Sequence, residues 1–336
     1  MLNQFFHTCL PVIESQLQTA VNQVEGPDMA EMKHMLAYHM GWEGPGAGPD
    51  SRGKRIRPML VLLTALAAGG NWRDALPAAC AVELIHNFSL IHDDIEDNSP
   101  LRRGRPTIWK KWGIAQATNI GDTMFTLAHL EILRLAETLP PLIVIRAANL
   151  LHQACLHLTQ GQYLDLSYEQ RTQLTEDEYW YMISGKTATL LAACSELGAL
   201  TASAPESTCQ VYHQFGYALG LAFQAQDDFL GIWGDAELTG KSNDSDLVTG
   251  KKTLPILFGI NRKGEFYQRW LQGPISPIEA PLMACLLSEE GAKLYVEQQI
   301  DRLTNQALQF FEAAQPYGEA GEALIELTNM LLHRKS

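Results

Sequence analysis

At 336 residues, with 25 Lys and Arg against 38 Asp and Glu, the chain carries a formal net charge of −13. That balance excludes nucleic acid and an anionic membrane surface as the main partner, since both would repel it. The longest apolar run, Met59 to Ala68, falls well short of the roughly 20 residues a membrane-spanning helix needs.

Nearly every segment repeats with helical period, and alternating strand patterns are hard to find. The pattern predicts helices over 2–23, 28–40, 57–69, 73–98, 107–137, 140–168, 175–201, 206–235, 252–263, 276–287, 290–314 and 318–334. The breaks carry the expected punctuation. Residues 41–53 form a Gly/Pro-rich loop, Pro140-Pro141 opens a helix, and Thr175 followed by Glu176, Asp177 and Glu178 reads as a capped helix start. No fixed-period repeat and no dividing linker is evident, so we expect one all-α domain spanning 1–336. The six cysteines are scattered without a C-x-x-C pair, and no basic leader precedes an apolar N-terminal stretch. Reduced, structural thiols in a soluble cytoplasmic protein are the expectation.

Two acidic groups close apolar helices. In the first, Asp93, Asp94 and Asp97 fall at spacings i, i+1 and i+4 behind the run Ala81 to Ile91, which crowds negative charge on one helical face. A solvated helix end is the ordinary home of such a run, but a lead-in this apolar points the acids into a cavity. A hard divalent cation such as Mg²⁺, sharing its oxygen ligands with a phosphate, fits that place. The second group, Asp227 and Asp228, ends the run Val211 to Gln226, with Gln224 one turn before Asp228. One acid pair is weak evidence. Two helices so equipped could clamp one diphosphate through shared Mg²⁺ ions.

The basic residues gather beside these motifs: Lys54, Arg55 and Arg57; Arg102, Arg103 and Arg105; Lys241, Lys251 and Lys252. Any one alone reads as solvated surface charge. Together they favour phosphate binding by Lys54, Arg57, Arg102 and Arg103, with arginine forks suited to bidentate contact. Gly48 to Lys54 nearly satisfies the nucleotide P-loop pattern, but Arg55 stands where its hydroxyl belongs and no strand precedes it. The nucleotide reading is therefore rejected.

In combination these motifs closely resemble the trans-isoprenyl diphosphate synthases, or polyprenyl synthetases, over about Gly53 to Pro255. The resemblance rests on Gly53-Lys-Arg-Ile-Arg-Pro58, Asp93-Asp-Ile-Glu-Asp97 with Leu101-Arg-Arg-Gly104, and Gly161-Gln-Tyr-Leu-Asp165. It continues through Lys186-Thr187, Phe223-Gln-Ala-Gln-Asp-Asp228 and Gly240-Lys241 to Gly250-Lys-Lys-Thr-Leu-Pro255. It implies an isoprenoid-synthase-type helical bundle around a central cavity, working as a homodimer, with three Mg²⁺ ions per site. By resemblance, Asp93 and Asp97 ligate metal from one side and Asp227 from the other, with Asp94, Asp165 and Asp228 in or near the outer shell. Arg102, Lys186, Lys241 and Lys251 would hold an allylic diphosphate. Lys54, Arg57, His86 and Arg103 would hold isopentenyl diphosphate, and Gln162, Thr187 and Gln224 would lie by the substrate or reacting centre.

The implied reaction condenses isopentenyl diphosphate with dimethylallyl, geranyl or farnesyl diphosphate. Phe88 lies five residues before Asp93, about 7.5 Å along the helix at 1.5 Å per residue, though an ideal wheel puts His86 and Ser89 more directly beneath. By resemblance an aromatic there limits the product to a short chain, C20 geranylgeranyl diphosphate first and C15 farnesyl diphosphate second. Core packing is the plain alternative for Phe88. His92 beside the acid pair reads as packing, given the oxygen preference of the metal. The sequence departs from the family pattern at Gly231, where the second motif usually has another acid, and Asp235 is a possible substitute. The lid loop Gly240 to Leu247 also lacks a glycine often found there. A class I terpene cyclase would share the metal clamp without a second, metal-free diphosphate pocket. A non-catalytic synthase subunit would not need the intact acids.

Overall fold

A computed structural model describes residues 1–234 and 246–332. Helices numbered over these residues are α1 (Leu2–Asn22), α2 (Ala30–His39), α3 (Pro49–Arg52), α4 (Ile56–Ala67) and α5 (Leu76–Glu96). Strands β1 (Leu101–Arg102) and β2 (Arg105–Pro106) follow, then α6 (Ile108–Trp112), α7 (Ile114–Leu133), a 3₁₀ turn Arg134–Glu137 and α8 (Pro141–Glu169). Next come α9 (Glu176–Ile183), a π-helical turn Ser184–Ala188, α10 (Thr189–Thr201) and α11 (Glu206–Trp233). The chain continues with α12 (Asp246–Thr249), α13 (Leu254–Arg262), α14 (Glu265–Trp270), α15 (Ala280–Glu289), α16 (Ala292–Ala313) and α17 (Gly318–Leu332). The all-α expectation holds, and no described helix is long and apolar enough to cross a membrane. All six cysteines are free, five of them buried.

The chain divides into two compact units. The first comprises Met1–His152, Cys194–Cys209 and Pro316–Leu327, and the second comprises 153–193, 210–315 and the residues from Thr328 onward.

In the first unit α5 is apolar nearly all round, with Ala78 to Ile85, Phe88 and Ile91 buried. A helix of that kind belongs inside, and α5 packs against α1, α4 and most extensively α7. Arg55 precedes α4 in a left-handed conformation (φ 49°, ψ 40°), which costs an L-residue roughly 1–2 kcal/mol. That backbone turns its guanidinium inward, where Nε donates to Glu14 (2.7 Å) and Nη1 to Glu83 (2.7 Å). Asn87 adds a bond to the same Glu83 oxygen (3.0 Å). Arg55 and Glu83 are only 2% and 3% exposed, so the network ties α1 and α5 to the loop through buried charge.

After α5 the chain makes a tight hairpin whose loop residues Arg103 (φ 50°) and Gly104 (φ 72°) both have positive φ, the geometry of a two-residue turn between twisted strands. Arg105 leads back inward and donates to the carbonyls of Tyr38, Glu43 and Pro45. Arg55 and Arg105 are therefore scaffold members of their basic clusters. Gly113 (φ 84°) interrupts the helix expected over 107–137.

In the second unit the Thr175–Glu178 capping box starts α9 as the sequence predicts. The helix expected over 175–201 then contains the π turn, which glycines bring hard against its neighbours. A Cβ on Gly161 of α8 would lie 2.2 Å from Lys186 N, and one on Gly185 would lie 2.6 Å from the His157 carbonyl oxygen. On α11, a Cβ at Gly220 would lie 2.5 Å from Ala188 Cα. Such turns concentrate where a helix must re-aim side chains, and here they carry Lys186 and Thr187.

Candidate active site

Each unit carries a carboxylate group flanked by cations. In the first unit, α5 ends at Glu96 with Asp97 as its C-terminal cap. Asp93 is half-buried and Asp97 exposed, one turn apart. Asp94 is turned inward, 2% exposed, and receives Arg102 Nε on both oxygens (2.9 and 3.0 Å) and Nη2 at 2.8 Å. Burial pushes the Asp94 carboxyl up, against the opposing pull of Arg102.

The other cations come from the loop before α4 and from the hairpin. Lys54 is exposed. Arg103 lies across Gly53, where a Cβ would come within 2.6 Å of its guanidinium, and donates to the Ser51 carbonyl (3.0 Å). Gly53, with φ 79°, thus admits the hairpin arginine to the loop. Arg57 Nη1 and His86 Nε2 are 3.2 Å apart. Burial, then the Arg57 and Arg103 charges, hold the His86 pKa well below its usual value. His86 is therefore neutral and accepts from Arg57. His39 joins the same group: it lines a small cavity with Asp94, Arg102 and Arg103 and is likewise held neutral by burial and those arginines. No motif distinguished it in the sequence.

Phe88 is buried between α5 and α7, its ring centroid 4.9 Å from His92 and 5.1 Å from Phe125. His92 occupies the space that Gly121 leaves, 3.4 Å from the Thr118 carbonyl oxygen, in the packing role expected of it.

In the second unit, Asp165 on α8 accepts from Lys186 of the π turn, and Lys251 Nζ lies 3.7 Å away. Burial alone would raise the Asp165 pKa, but Lys251 and Lys186 outweigh it and hold the carboxyl below the usual range. Gln162 lies one turn earlier on α8, buried. Lys252 turns the other way and donates to the carbonyls of Tyr168 (3.0 Å) and Glu169 (2.8 Å), where α8 ends and a cation is favoured. Thr187 donates to Gln224 Oε1 (2.7 Å), and Gln224 Nε2 donates to Asp228 Oδ1 (2.9 Å).

Asp228 is 3% exposed, and its other oxygen accepts from Tyr179 and from the Leu254 backbone N–H (2.9 Å). Burial raises the Asp228 pKa despite these donors. Asp227 is half-buried beside it. Sequence reasoning missed Tyr179 and the Leu254 N–H, both far along the chain from Asp228. Lys241 and Asp235 lie outside the described residues.

Among the described residues, no three His, Cys, Asp or Glu side chains form a closed metal cage. The donors at hand are carboxylate oxygens. An open set of that kind suits a hard cation whose shell is completed by substrate oxygens and water.

Residues 48–273 match the polyprenyl synthetase family model. The chain is 40% identical to a geranylgeranyl diphosphate synthase of Mycobacterium tuberculosis, over 76% of this chain and 71% of that protein. It is 44% identical to a (2E,6E)-farnesyl diphosphate synthase of Mycobacterium bovis, over 71% and 67%. A crystal structure of a polyprenyl synthase from Caulobacter crescentus, complexed with calcium and isoprenyl diphosphate, is similar across 100% of this chain and 98% of that one. Its TM-score is 0.83 at 28% identity.

Two outcomes follow from this geometry. Because the folded state resists protonating His86 and His39, their contribution to stability is full above the unfolded histidine pKa of about 6.5 and declines as pH falls below it. The urea midpoint should therefore drop between pH 7 and pH 5, and the double variant His39→Gln/His86→Gln should flatten that drop. An unchanged pH response in the double variant would contradict the assignment. Separately, Asp228→Ala strands three donors in a buried place and should cost about 1–3 kcal/mol. Thermal denaturation should show this loss for Asp228→Ala and a near-unchanged midpoint for Asp227→Ala.

Proposed function

Because the chain belongs to the polyprenyl synthetase family and is a prenyl chain-elongating transferase, we propose that it condenses isopentenyl diphosphate with an allylic diphosphate in a magnesium-dependent reaction giving C20 geranylgeranyl diphosphate. C15 farnesyl diphosphate is the second reading, favoured by the 44% identity to the farnesyl synthase. The observation that carries the proposal is that each carboxylate group has cations built against it: Arg102 on Asp94, and Lys186 with Lys251 near Asp165. The calcium and isoprenyl diphosphate held by the Caulobacter relative support it.

In this reading Asp93, Asp97 and Asp227 are the metal ligands, and three ions per site are carried over from the family pattern. Asp94 and Asp228, whose oxygens already receive donors, position Arg102 and Gln224. Bound magnesium supplies Lewis-acid neutralisation of charge on the departing diphosphate. Arg102, held by Asp94, and Lys186 and Lys251, held by Asp165, are preorganised to stabilise charge as it develops on the allylic diphosphate, and by the family pattern Lys241 has the same role. Lys54, Arg57, His86 and Arg103 hold isopentenyl diphosphate. Neutral His86 accepts from Arg57 and so fixes that guanidinium for a bidentate contact. Thr187 donates its hydroxyl hydrogen to Gln224. Its oxygen lone pairs are thereby left for the positive charge that grows on the allylic carbons, beside Gln162. The proton leaves to the released diphosphate. The reading includes a single working domain and a cytoplasmic homodimer.

Purified full-length protein with Mg²⁺, labelled isopentenyl diphosphate and dimethylallyl, geranyl or farnesyl diphosphate should give linear C20 product. Cyclic hydrocarbon from the allylic substrate alone would reassign the chain to the cyclases, and product only with a second protein would make it a subunit. Asp93→Ala should lower turnover by about 10²- to 10³-fold. Near-normal rates would contradict its role. Phe88→Ala removes the ring packed on Phe125 and should shift chromatographed products to longer chains, whereas an unchanged length would leave Phe88 as core packing only.

A further inference from the structure

Lys251 and Lys252 are neighbours on the short segment between α12 and α13, yet they fasten to α8 at two different places. Lys251 Nζ lies 3.7 Å from Asp165 Oδ2, the same oxygen that Lys186 contacts. Lys252 Nζ donates to the Tyr168 and Glu169 carbonyl oxygens at 3.0 and 2.8 Å. Residues 165, 168 and 169 fall at i, i+3 and i+4, so the segment runs along one face of the C-terminal end of α8. Backbone bonds fix its course: Lys251 N–H on the Asp246 carbonyl (3.1 Å), Thr253 N–H on the Lys251 carbonyl (2.9 Å) and Leu254 N–H on Asp228 (2.9 Å).

The Asp165 contact holds the Lys251 ammonium but is too weak to hold the segment. The Lys251 side chain is 44% exposed, and an ion pair so open to water contributes little. Two ammonium groups brought to one carboxylate oxygen also repel each other. Lys252 is better placed to anchor the chain here. The last carbonyls of a helix have no partners within it and favour a cation, and α8 has no basic residue of its own in that turn. Lys252 supplies one from 83 residues beyond Glu169. It is half-buried, and burial pulls its pKa down against the Glu169 charge, so its amine has exchanged water for those carbonyls.

We propose that Lys252 is a positioning residue: by pinning the segment to the end of α8, it keeps Lys251 beside Asp165 and Lys186, where both ammonium groups meet the allylic diphosphate. The proposal rests on the reading that Lys251 binds that substrate. Lys252 touches no substrate itself. Without it Lys251 is free to swing out into water, so the damage falls on the allylic diphosphate. Isopentenyl diphosphate is spared, because Lys54, Arg57 and Arg103 lie in the first unit.

The test is steady-state kinetics of the full-length protein with Mg²⁺, geranyl diphosphate and isopentenyl diphosphate, with melting followed in parallel. Lys251→Gln should raise the KM for geranyl diphosphate; if it does not, the reading of Lys251 fails and the proposal falls with it. With that control in place, Lys252→Met keeps the aliphatic stem and loses the donors. It should raise the same KM about tenfold, the size of a lost hydrogen bond to a charged group, and leave the KM for isopentenyl diphosphate unchanged. Lys252→Gln repeats the measurement with a polar side chain, so a methionine variant that melts below the assay temperature does not end the test. Lys252→Arg, whose fork can serve both carbonyls, should return the KM to within about threefold of wild type. In the Lys251→Gln background, Lys252→Met should add less than about a further twofold, because it acts through a lysine already removed. A Lys252→Met enzyme with wild-type KM for geranyl diphosphate would overturn the proposal. So would a loss of equal size in both backgrounds, or one shared by the two substrates, since each marks a general loosening of the fold.

Discussion

Backbone-to-backbone packing around residues 184–188 governs the second carboxylate group. Three glycines, Gly161, Gly185 and Gly220, remove the side chains that would hold α8 and α11 away from the π turn. The reward for that closeness is placement. Lys186 reaches Asp165 on α8 while its neighbour Thr187 reaches Gln224 on α11, so two adjacent residues serve two different helices. An α-helix separates successive side chains by about 100°, enough for adjacent residues to face two different neighbours.

A division of labour runs through both acid pairs. The second member of each pair is buried and saturated with donors, Asp94 by Arg102 and Asp228 by Tyr179, Gln224 and the Leu254 N–H. The first member stays half-buried. The outcome is an acid with a fixed neighbour. Because the inner carboxylate is anchored by several hydrogen bonds, the helix cannot rotate the outer one without breaking them, and the rigidity a charged site requires comes from its own sequence neighbour.

Much of this was legible in the sequence. Helix spans agree within a few residues, as with 2–23 against Leu2–Asn22 and 206–235 against Glu206–Trp233, because apolar periodicity survives in a single chain. The acid groups were legible because they follow apolar helical runs, although α11 continues past Asp228 to Trp233. What escaped was short or long-range. The strands Leu101–Arg102 and Arg105–Pro106 are too short to alternate, and an Arg-Gly turn carries a weak hairpin signal. Helix α14, between Gly264 and Gly273, spans too few turns to register a period. The inward turns of Arg55 and Arg105 depend on partners remote in sequence, as does the Tyr179 hydroxyl on Asp228. Phe88 illustrates the limit from another direction: a helical wheel put it to one side of Asp93, and that side is where α7 packs.

The alternation at residues 54–57 bears on how the protein responds to its medium. Arg55 is sealed against Glu14 and Glu83, while Lys54 stands in water. Dissolved ions screen exposed charges over a Debye length of about 8 Å at physiological ionic strength, and they reach a sealed pair far less. Added salt therefore weakens the attraction of a passing anion to this loop while leaving the loop's shape intact, so capture and architecture answer to different variables although their residues are adjacent.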